Sequence, residues 1–366
     1  VRVGFLVNPI AGMGGTVGLK GTDGWEIQKE ALERGAKKTS PGRAEAALAE
    51  VGSKRLALEI VTCAGEMGKE ELDAVGIPSE IVFTPARPSS SKDTVLAAKA
   101  FVNKGAELIV FAGGDGTARD ILEAVDQKVP IVGIPAGVKM HSAVFAQTPE
   151  QVRDLLEEFA RAQNTKDAEV MDIDEESYRK GVLKARLYGI ARVPDDALRM
   201  QPGKASYHSG GADDEAAEIG QYLADTMELG VTYVIGPGST TAKIAEALGC
   251  EKTVLGVDVY SEGRTCLADA TARDLARLLS TAKKAKIIVT PIGAQGFFFG
   301  RGNQQISPDI IRRVGVENVI VVATPSKLRD TPILRVDTGD LDLDREFRGS
   351  IKVITGYKRK KLMRVQ

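Results

Sequence analysis

Cysteine is scarce in this chain, and its three copies (Cys63, Cys250, Cys266) are scattered and odd in number. With no CxxC spacing, neither a disulfide framework nor a zinc site is indicated. A reduced, cytoplasmic compartment is therefore expected. Aromatic residues make up only 5%, too few for the stacking platforms that hold single-stranded nucleic acid. A surplus of either charge is missing too. Lys+Arg number 49 and Asp+Glu 50, a formal net charge of -1, which argues against non-specific binding to nucleic acid or anionic membrane. The one basic run, Lys358-Arg-Lys-Lys361, reads as a solvated strand end. No apolar stretch approaches the length of a membrane span. Val1 to Val7 is strand-length, too short for the apolar core of a signal peptide. No GK[ST] follows any glycine-rich loop, so the Walker pattern is absent.

What is present is a set of apolar strands that run into glycine. The chain has 366 residues, 43% of them hydrophobic. That suits two domains, or one large domain with an insertion. The densest signal is Glu107 to Ala112, a buried parallel strand by composition, which stops at Gly113-Gly-Asp-Gly-Thr117. An amphipathic helix follows, with Ile121, Leu122 and Val125 on one face. Glycines around one carboxylate let the backbone bend and let a bulky anion come close, and a helix start adds free N–H groups. Either Gly113, Gly114, Gly116 and Thr117 cradle a nucleotide phosphate beside a catalytic Asp115, or Asp115 caps a tight strand-to-helix turn.

The preceding chain alternates strands and helices. Val1 to Val7 is a strand that ends in Asn8-Pro-Ile-Ala-Gly-Met-Gly-Gly15, where Asn8, Gly12 and Gly14 are phosphate-binding candidates. Gly18 to Gly24 is a loop of small residues carrying Lys20, which either reaches a phosphate or is solvated. Ala57–Thr62, Ser79–Phe83 and Lys128–Ile134 read as strands, with helices between them. Ser91 and Asp93 supply the capping chemistry of the helix before the Gly113 strand. Such alternation means a parallel sheet covered by helices, with ligands beyond the C-terminal strand ends. Asn8, Gly113–Thr117 and Pro135–Ser142 all fall at that edge. Lys139 and His141 on the last of these loops are candidates, whereas His208 reads as solvated.

The style changes after the helix at 149–162. Glu169–Asp174 and Gly181–Val193 alternate like antiparallel strands, and Arg199–Asp214 looks like a mobile loop or a boundary. Thr232–Ile235 then runs into Gly236-Pro-Gly-Ser-Thr240 and a helix. Here Gly236, Gly238, Ser239 and Thr240 either bind a second anion or, through Ser239, cap the helix. A further strand enters Thr290-Pro-Ile-Gly-Ala-Gln-Gly-Phe297, followed by Arg301 and Asn303. Thr290, Pro291, Gly293, Gln295, Phe297, Arg301 and Asn303 could contact a base or ribose. The structural alternative is a β-arch in which at least one of Phe297 to Phe299 is core.

Three blocks carry a family resemblance: Asn8-Pro-Ile-Ala-Gly12, Gly113-Gly-Asp-Gly-Thr117, and Thr290-Pro-Ile-Gly-Ala-Gln-Gly-Phe297 with Gly302 and Pro308. In this order the chain resembles the NAD kinase superfamily, which also holds diacylglycerol and sphingosine kinases and, more distantly, phosphofructokinases. It looks most like a divergent ATP-NAD kinase branch that includes the acetoin-catabolism X protein of bacteria. The resemblance implies an α/β chain with an N-terminal parallel-sheet, Rossmann-like domain, a β-rich α/β C-terminal domain, and nucleotide between them. It implies that Asp115 serves the acceptor hydroxyl, and that Asn8 and Gly113–Thr117 bind ATP phosphate with magnesium. ATP or polyphosphate would be the donor and NAD the substrate. A homo-oligomer is also implied.

The expected boundaries are 1–165 for the first domain and 166–340 for the second, with an α/β insertion around 215–285. Residues 341–366 are a tail that could return to the first domain. Two departures stand out. Pro135–Ser142 lacks the Asn or Asp that ends the equivalent segment in relatives. The Asn-Glu pair that contacts NAD has no clear counterpart either, Leu255-Gly-Val-Asp258 being only in roughly the right order. The leading expectation is a kinase that phosphorylates the NAD adenosine 2′-hydroxyl. A kinase for another small hydroxylated metabolite and a non-catalytic nucleotide-binding regulator are the alternatives. Partners would be small-molecule nucleotides, not nucleic acid or membrane.

Overall fold

The computed structural model describes residues 1–19, 25–49, 51, 58–138, 140–173, 185–202, 212–292 and 295–366. Lys20, Lys139, Gly293 and His208 lie outside the described residues. The chain divides into two compact units, Val1–Met13 with Gly21–Gly203, and Gly14–Lys20 with Lys204–Gln366.

In the first unit the strands are β1 (Arg2–Val7), β2 (Glu59–Cys63), β3 (Ser79–Phe83), β4 (Leu108–Gly113) and β5 (Ile131–Pro135). They form one parallel sheet in the order β3-β2-β1-β4-β5. All six residues of β4 and all five of β5 are buried. An unbroken apolar run suits a strand with helices on both faces. The helices are α1 (Trp25–Glu33), α2 (Ser40–Leu48), α3 (Lys69–Ala74), α4 (Ser91–Asn103), α5 (Asp115–Val125) and α6 (Gln151–Ala162). α4 starts on a capping box, with Ser90 rather than Ser91 as N-cap and Asp93 returning a bond to the Ser90 N–H at 2.8 Å. Such a cap contributes about 1 kcal/mol. Phe5, Phe101, Phe111 and Phe145 fill the core. Each such side chain stabilises the fold by about 1.5–3 kcal/mol when fully buried.

The unit does not stop near residue 165. β6 (Thr165–Ile173) and β7 (Ala185–Pro194) pair antiparallel, as their alternation predicts. Their inward residues Val170, Ala191 and Val193 join the core of the first sheet, and Ala143 N–H donates to the Glu169 carbonyl at 2.8 Å. The hairpin buries its apolar side there, which moves the boundary to about residue 203.

The second unit holds β8 (Thr232–Ile235), β9 (Asp258–Ser261), β10 (Arg264–Leu267), β11 (Ala285–Val289), β12 (Val319–Val322), β13 (Ile333–Leu334), β14 (Gly349–Gly356) and β15 (Arg359–Val365). They form a mixed sheet in the order β10-β9-β8-β11-β12-β14-β15-β13, with β8, β11, β12 and β14 parallel at its centre. Its helices are α7 (Ala212–Thr226), α8 (Ser239–Ala247), α9 (Ala272–Thr281), α10 (Pro308–Val314), α11 (Pro325–Asp330) and α12 (Leu341–Phe347). The 215–285 stretch is therefore no insertion, because it supplies β8 to β10 of this sheet. The 341–366 segment also stays here. β14 pairs with β12, and the exposed Lys358–Lys361 run lies at the β14–β15 turn and the start of β15. No helix among the described residues is long and apolar enough to cross a membrane.

Candidate active site

In the first sheet, β1 leads to β2 on one side and β4 leads to β5 on the other. The crevice beyond their carboxyl ends is thus a topological switch point, where open α/β sheets receive ligands. Asn8 follows β1 there, and Gly113–Thr117 follows β4. α5 begins at Asp115, and its N-cap is Gly114. The tight-turn alternative with Asp115 as the cap is therefore not what forms. A glycine N-cap has no side chain to satisfy the first-turn N–H groups, which leaves them for an anion. Gly114 and Gly116 are half-exposed, whereas Thr117 is buried.

Two polar contacts fix this turn to its neighbours. Asn8 Nδ2 donates to Thr117 Oγ1 at 3.0 Å, and Asn8 N–H donates to the Ala112 carbonyl at 2.9 Å. The Gly113 carbonyl accepts from both Ala136 N–H and Gly137 N–H at 3.1 Å. Glycine is required at two places. A Cβ on Gly113 would lie 2.6 Å from Thr117 Cβ, and one on Gly12 would lie 1.9 Å from the Ala136 carbonyl oxygen.

Asp115 is 8% exposed. Its carboxylate accepts from the backbone N–H groups of His141 (2.8 Å) and Ser142 (3.0 Å). Those bonds make it the anchor of the loop after β5. The far side of that loop is held by Gln201, whose Nε2 donates to the Met140 and Ser142 carbonyls at 3.1 and 3.2 Å. Ser142 Oγ in turn accepts from Met171 N–H. Gln201 sits in a stretch that reads as a mobile loop, so its role is invisible in the sequence. His141 enters the site through its backbone and is half-exposed.

Gly14 parts company with Asn8 and Gly12 and is counted with the second unit. Its segment is tied there by Ala272 N–H donating to the Thr16 carbonyl. The second unit gathers its own predicted residues at one sheet edge. Gly236 and Gly238 follow β8, and Thr290 and Pro291 follow β11. Gly238, not Ser239, is the N-cap of α8, again with no capping side chain. Lys327, on α11 after β12, was not singled out by the sequence. Its Nζ donates to Thr290 Oγ1 at 3.1 Å, with a longer contact to Thr240 Oγ1 at 3.4 Å. Burial pulls its pKa down to about 8. The signal that could have found it is a third apolar strand running into Thr324-Pro-Ser-Lys327.

Four of the expected interface residues, Gln295, Phe297, Arg301 and Asn303, are buried among contacts of the second unit. Phe297 is buried, as are Phe298 and Phe299. The buried Arg301 stacks on the Phe297 ring, 4.2 Å from its centroid, and pairs with the buried Asp337. Asn303 is 1% exposed and clamps its own turn, donating to the Phe298 carbonyl and accepting from Gly300 N–H, both at 2.9 Å. Gln295 is buried, with its carbonyl accepting from Arg335. Asp258 is buried too, accepting from Lys252 Nζ, Thr253 N–H and Oγ1, and Asp269 N–H.

The profile of the ATP-NAD kinase N-terminal domain matches residues 3–164, and that of the ATP-NAD kinase C-terminal domain matches residues 229–365. The chain belongs to the ATP-NAD kinase family. As such it is a kinase-type phosphotransferase built on two nucleotide-associated domains. No curated protein matches it. Among solved structures, a protein assigned as a UDP-N-acetylglucosamine 2-epimerase from Listeria monocytogenes is 10% identical, with 93% of this chain and 75% of that one covered and a TM-score of 0.27. The UDP-GlcNAc 2-epimerase of Methanocaldococcus jannaschii is 8% identical, with 93% and 79% covered and a TM-score of 0.25. Likeness at that level carries no argument about this ATP-NAD kinase family member.

Proposed function

We propose that this protein transfers the terminal phosphoryl group of ATP to the 2′-hydroxyl of the adenosine ribose of NAD, giving NADP and ADP. The supporting observation is the buried carboxylate of Asp115 in the first turn of a glycine-capped helix, at the β1/β4 switch point of an ATP-NAD kinase domain. The first-turn N–H groups of α5, which no capping side chain takes, bind the donor phosphates, and its dipole favours their charge. Asn8 has a second amide hydrogen beyond the one given to Thr117 and can donate it to a phosphate oxygen. Asp115 accepts the proton of the ribose hydroxyl as that oxygen bonds to the terminal phosphorus and ADP leaves. The two backbone bonds from His141 and Ser142 keep the carboxylate from rotating, which makes it a positioned base. Base catalysis of this kind contributes about 10²–10⁴-fold. Positioning and charge neutralisation supply most of the rest.

Magnesium suits this donor set. It is bound through one or two carboxylates plus substrate phosphates rather than by an all-protein cage. With the Asp115 carboxylate serving as base, the donor phosphates would carry the ion, which would neutralise charge on the transferred group. Purified protein with ATP or polyphosphate, magnesium and NAD is expected to form NADP. If neither donor yields NADP and NAD does not bind, the acceptor assignment fails. One observation favours a second reading: Asp258, the residue nearest in order to the acidic pair of relatives, is buried in bonds to Lys252, Thr253 and Asp269. ADP release across a panel of hydroxylated metabolites tests for another acceptor. Tight nucleotide binding with no ADP formed would favour a regulator.

A further inference from the structure

The mixed second sheet has a similar reversal in its strand order, at the edge of its parallel centre. From β8 the chain leaves to β9 on one side, and from β11 it leaves to β12 on the other. Beyond the carboxyl ends of β8, β11 and β12 lie the start of α8, Thr290 and Lys327. We propose that Lys327, Thr240, Thr290 and the first turn of α8 form a binding site for a phosphoryl anion, the chemistry of a phosphate or pyrophosphate group.

Four observations carry this. The ammonium of Lys327 has three donors and no carboxylate within ion-pair distance among the described residues; its described acceptors are two neutral hydroxyls. Taking such a cation out of water without a counter-ion is costly, and an anion would offset that cost. Thr240 and Thr290 are 2% and 3% exposed. Each accepts from Lys327 and keeps its own hydroxyl hydrogen, for which no described acceptor exists. The first-turn N–H groups of α8 have no capping side chain. Finally, Gly238 has φ +131°, and a Cβ there would lie 2.7 Å from Thr290 Cγ2, so the backbone entering α8 comes this close to Thr290 only as glycine.

The nearby start of α11 is not the site, because Glu215 already occupies it, accepting from Ser326 N–H (3.0 Å) and Oγ (2.6 Å). Arg329 and Arg359 act on that carboxylate. Burial alone shifts Lys327. Its charge is present below about pH 8 and lost above it, so anion affinity should fall as pH rises through 8.

The test uses the full chain and inorganic pyrophosphate. Acetic anhydride labelling, read by mass spectrometry, should modify Lys327 of the wild type, and pyrophosphate should slow that modification at least fivefold while exposed Lys99 is unaffected. In calorimetry, Lys327→Met should weaken pyrophosphate binding at least tenfold and abolish its fall between pH 7 and 9. Asp115→Asn should leave Lys327 protection intact, which separates this site from the proposed phosphoryl transfer. Protection of Lys327 by ADP or NAD in place of pyrophosphate would assign the phosphate to a nucleotide; protection by pyrophosphate alone would assign a free anion. Unprotected Lys327, or Lys327→Met binding pyrophosphate like the wild type, would overturn the proposal. Should Lys327→Met not fold, labelling of the wild type decides.

Discussion

Asp115 has two jobs, and its substitution should show both. An asparagine there presents one acceptor and one amide donor to two backbone N–H groups, so one bond is lost and two donors face each other. Leaving a buried donor unpaired costs about 1–3 kcal/mol. Denaturant unfolding of Asp115→Asn should reveal that loss, separately from any loss of turnover. Arg301 presents the opposite case, a residue that looks like a ligand and is core. Arg301→Ala removes the ion pair with the buried Asp337 carboxylate and the stack on Phe297. Breaking such a pair costs about 3–5 kcal/mol. Its unfolding midpoint should fall sharply, while nucleotide affinity of the folded fraction stays unchanged; a selective loss of affinity would restore Arg301 to the site. The sequence could not separate these two residues. Asp337 is 36 positions away from Arg301, and nothing local to a polar, glycine-rich stretch tells a buried ion pair from a base contact.

Strand ends were the most legible elements, because each apolar run stops at glycine where its backbone must turn. The three loops at the first switch point were all readable this way. Their contacts were not, but one can be probed through Gly12. It has φ +75° and the Ala136 carbonyl where a side chain would go. Gly12→Ala should cost more than about 2 kcal/mol, combining left-handed strain with overpacking. Thermal melting checks it, and a wild-type melting temperature would mean the close approach does not exist. Helix caps were readable to within one residue: Gly114 and Gly238 are the N-caps next to Asp115 and Ser239, the capping groups of the alternative readings. The β6–β7 hairpin was recognisable as antiparallel from its alternation. Which core it joined was not, since Val170 and Val193 would look the same against either sheet.

The whole molecule was legible as two α/β units, but their boundary depended on packing between distant segments. Its stability should carry one unusual pH dependence. Glu71 is 3% exposed, and burial raises its pKa to about 7 from 4.5. The folded protein therefore binds more protons than the unfolded chain between those values. Stability from this group is full below about pH 4.5 and is lost as pH rises through 7, by about 3 kcal/mol. Glu71→Gln should remove that loss, so the stability difference between mutant and wild type should grow from pH 5 to pH 8; a constant difference would refute it. The central claim concerns chemistry. It is tested most directly by NADP formation from NAD, ATP and magnesium, compared for wild type and Asp115→Asn under conditions where both are folded. The account predicts NADP and ADP in equal amounts from the wild type, and a loss of about 10²–10⁴-fold in the variant with nucleotide binding retained. NADP formed at the same rate by both proteins would contradict it.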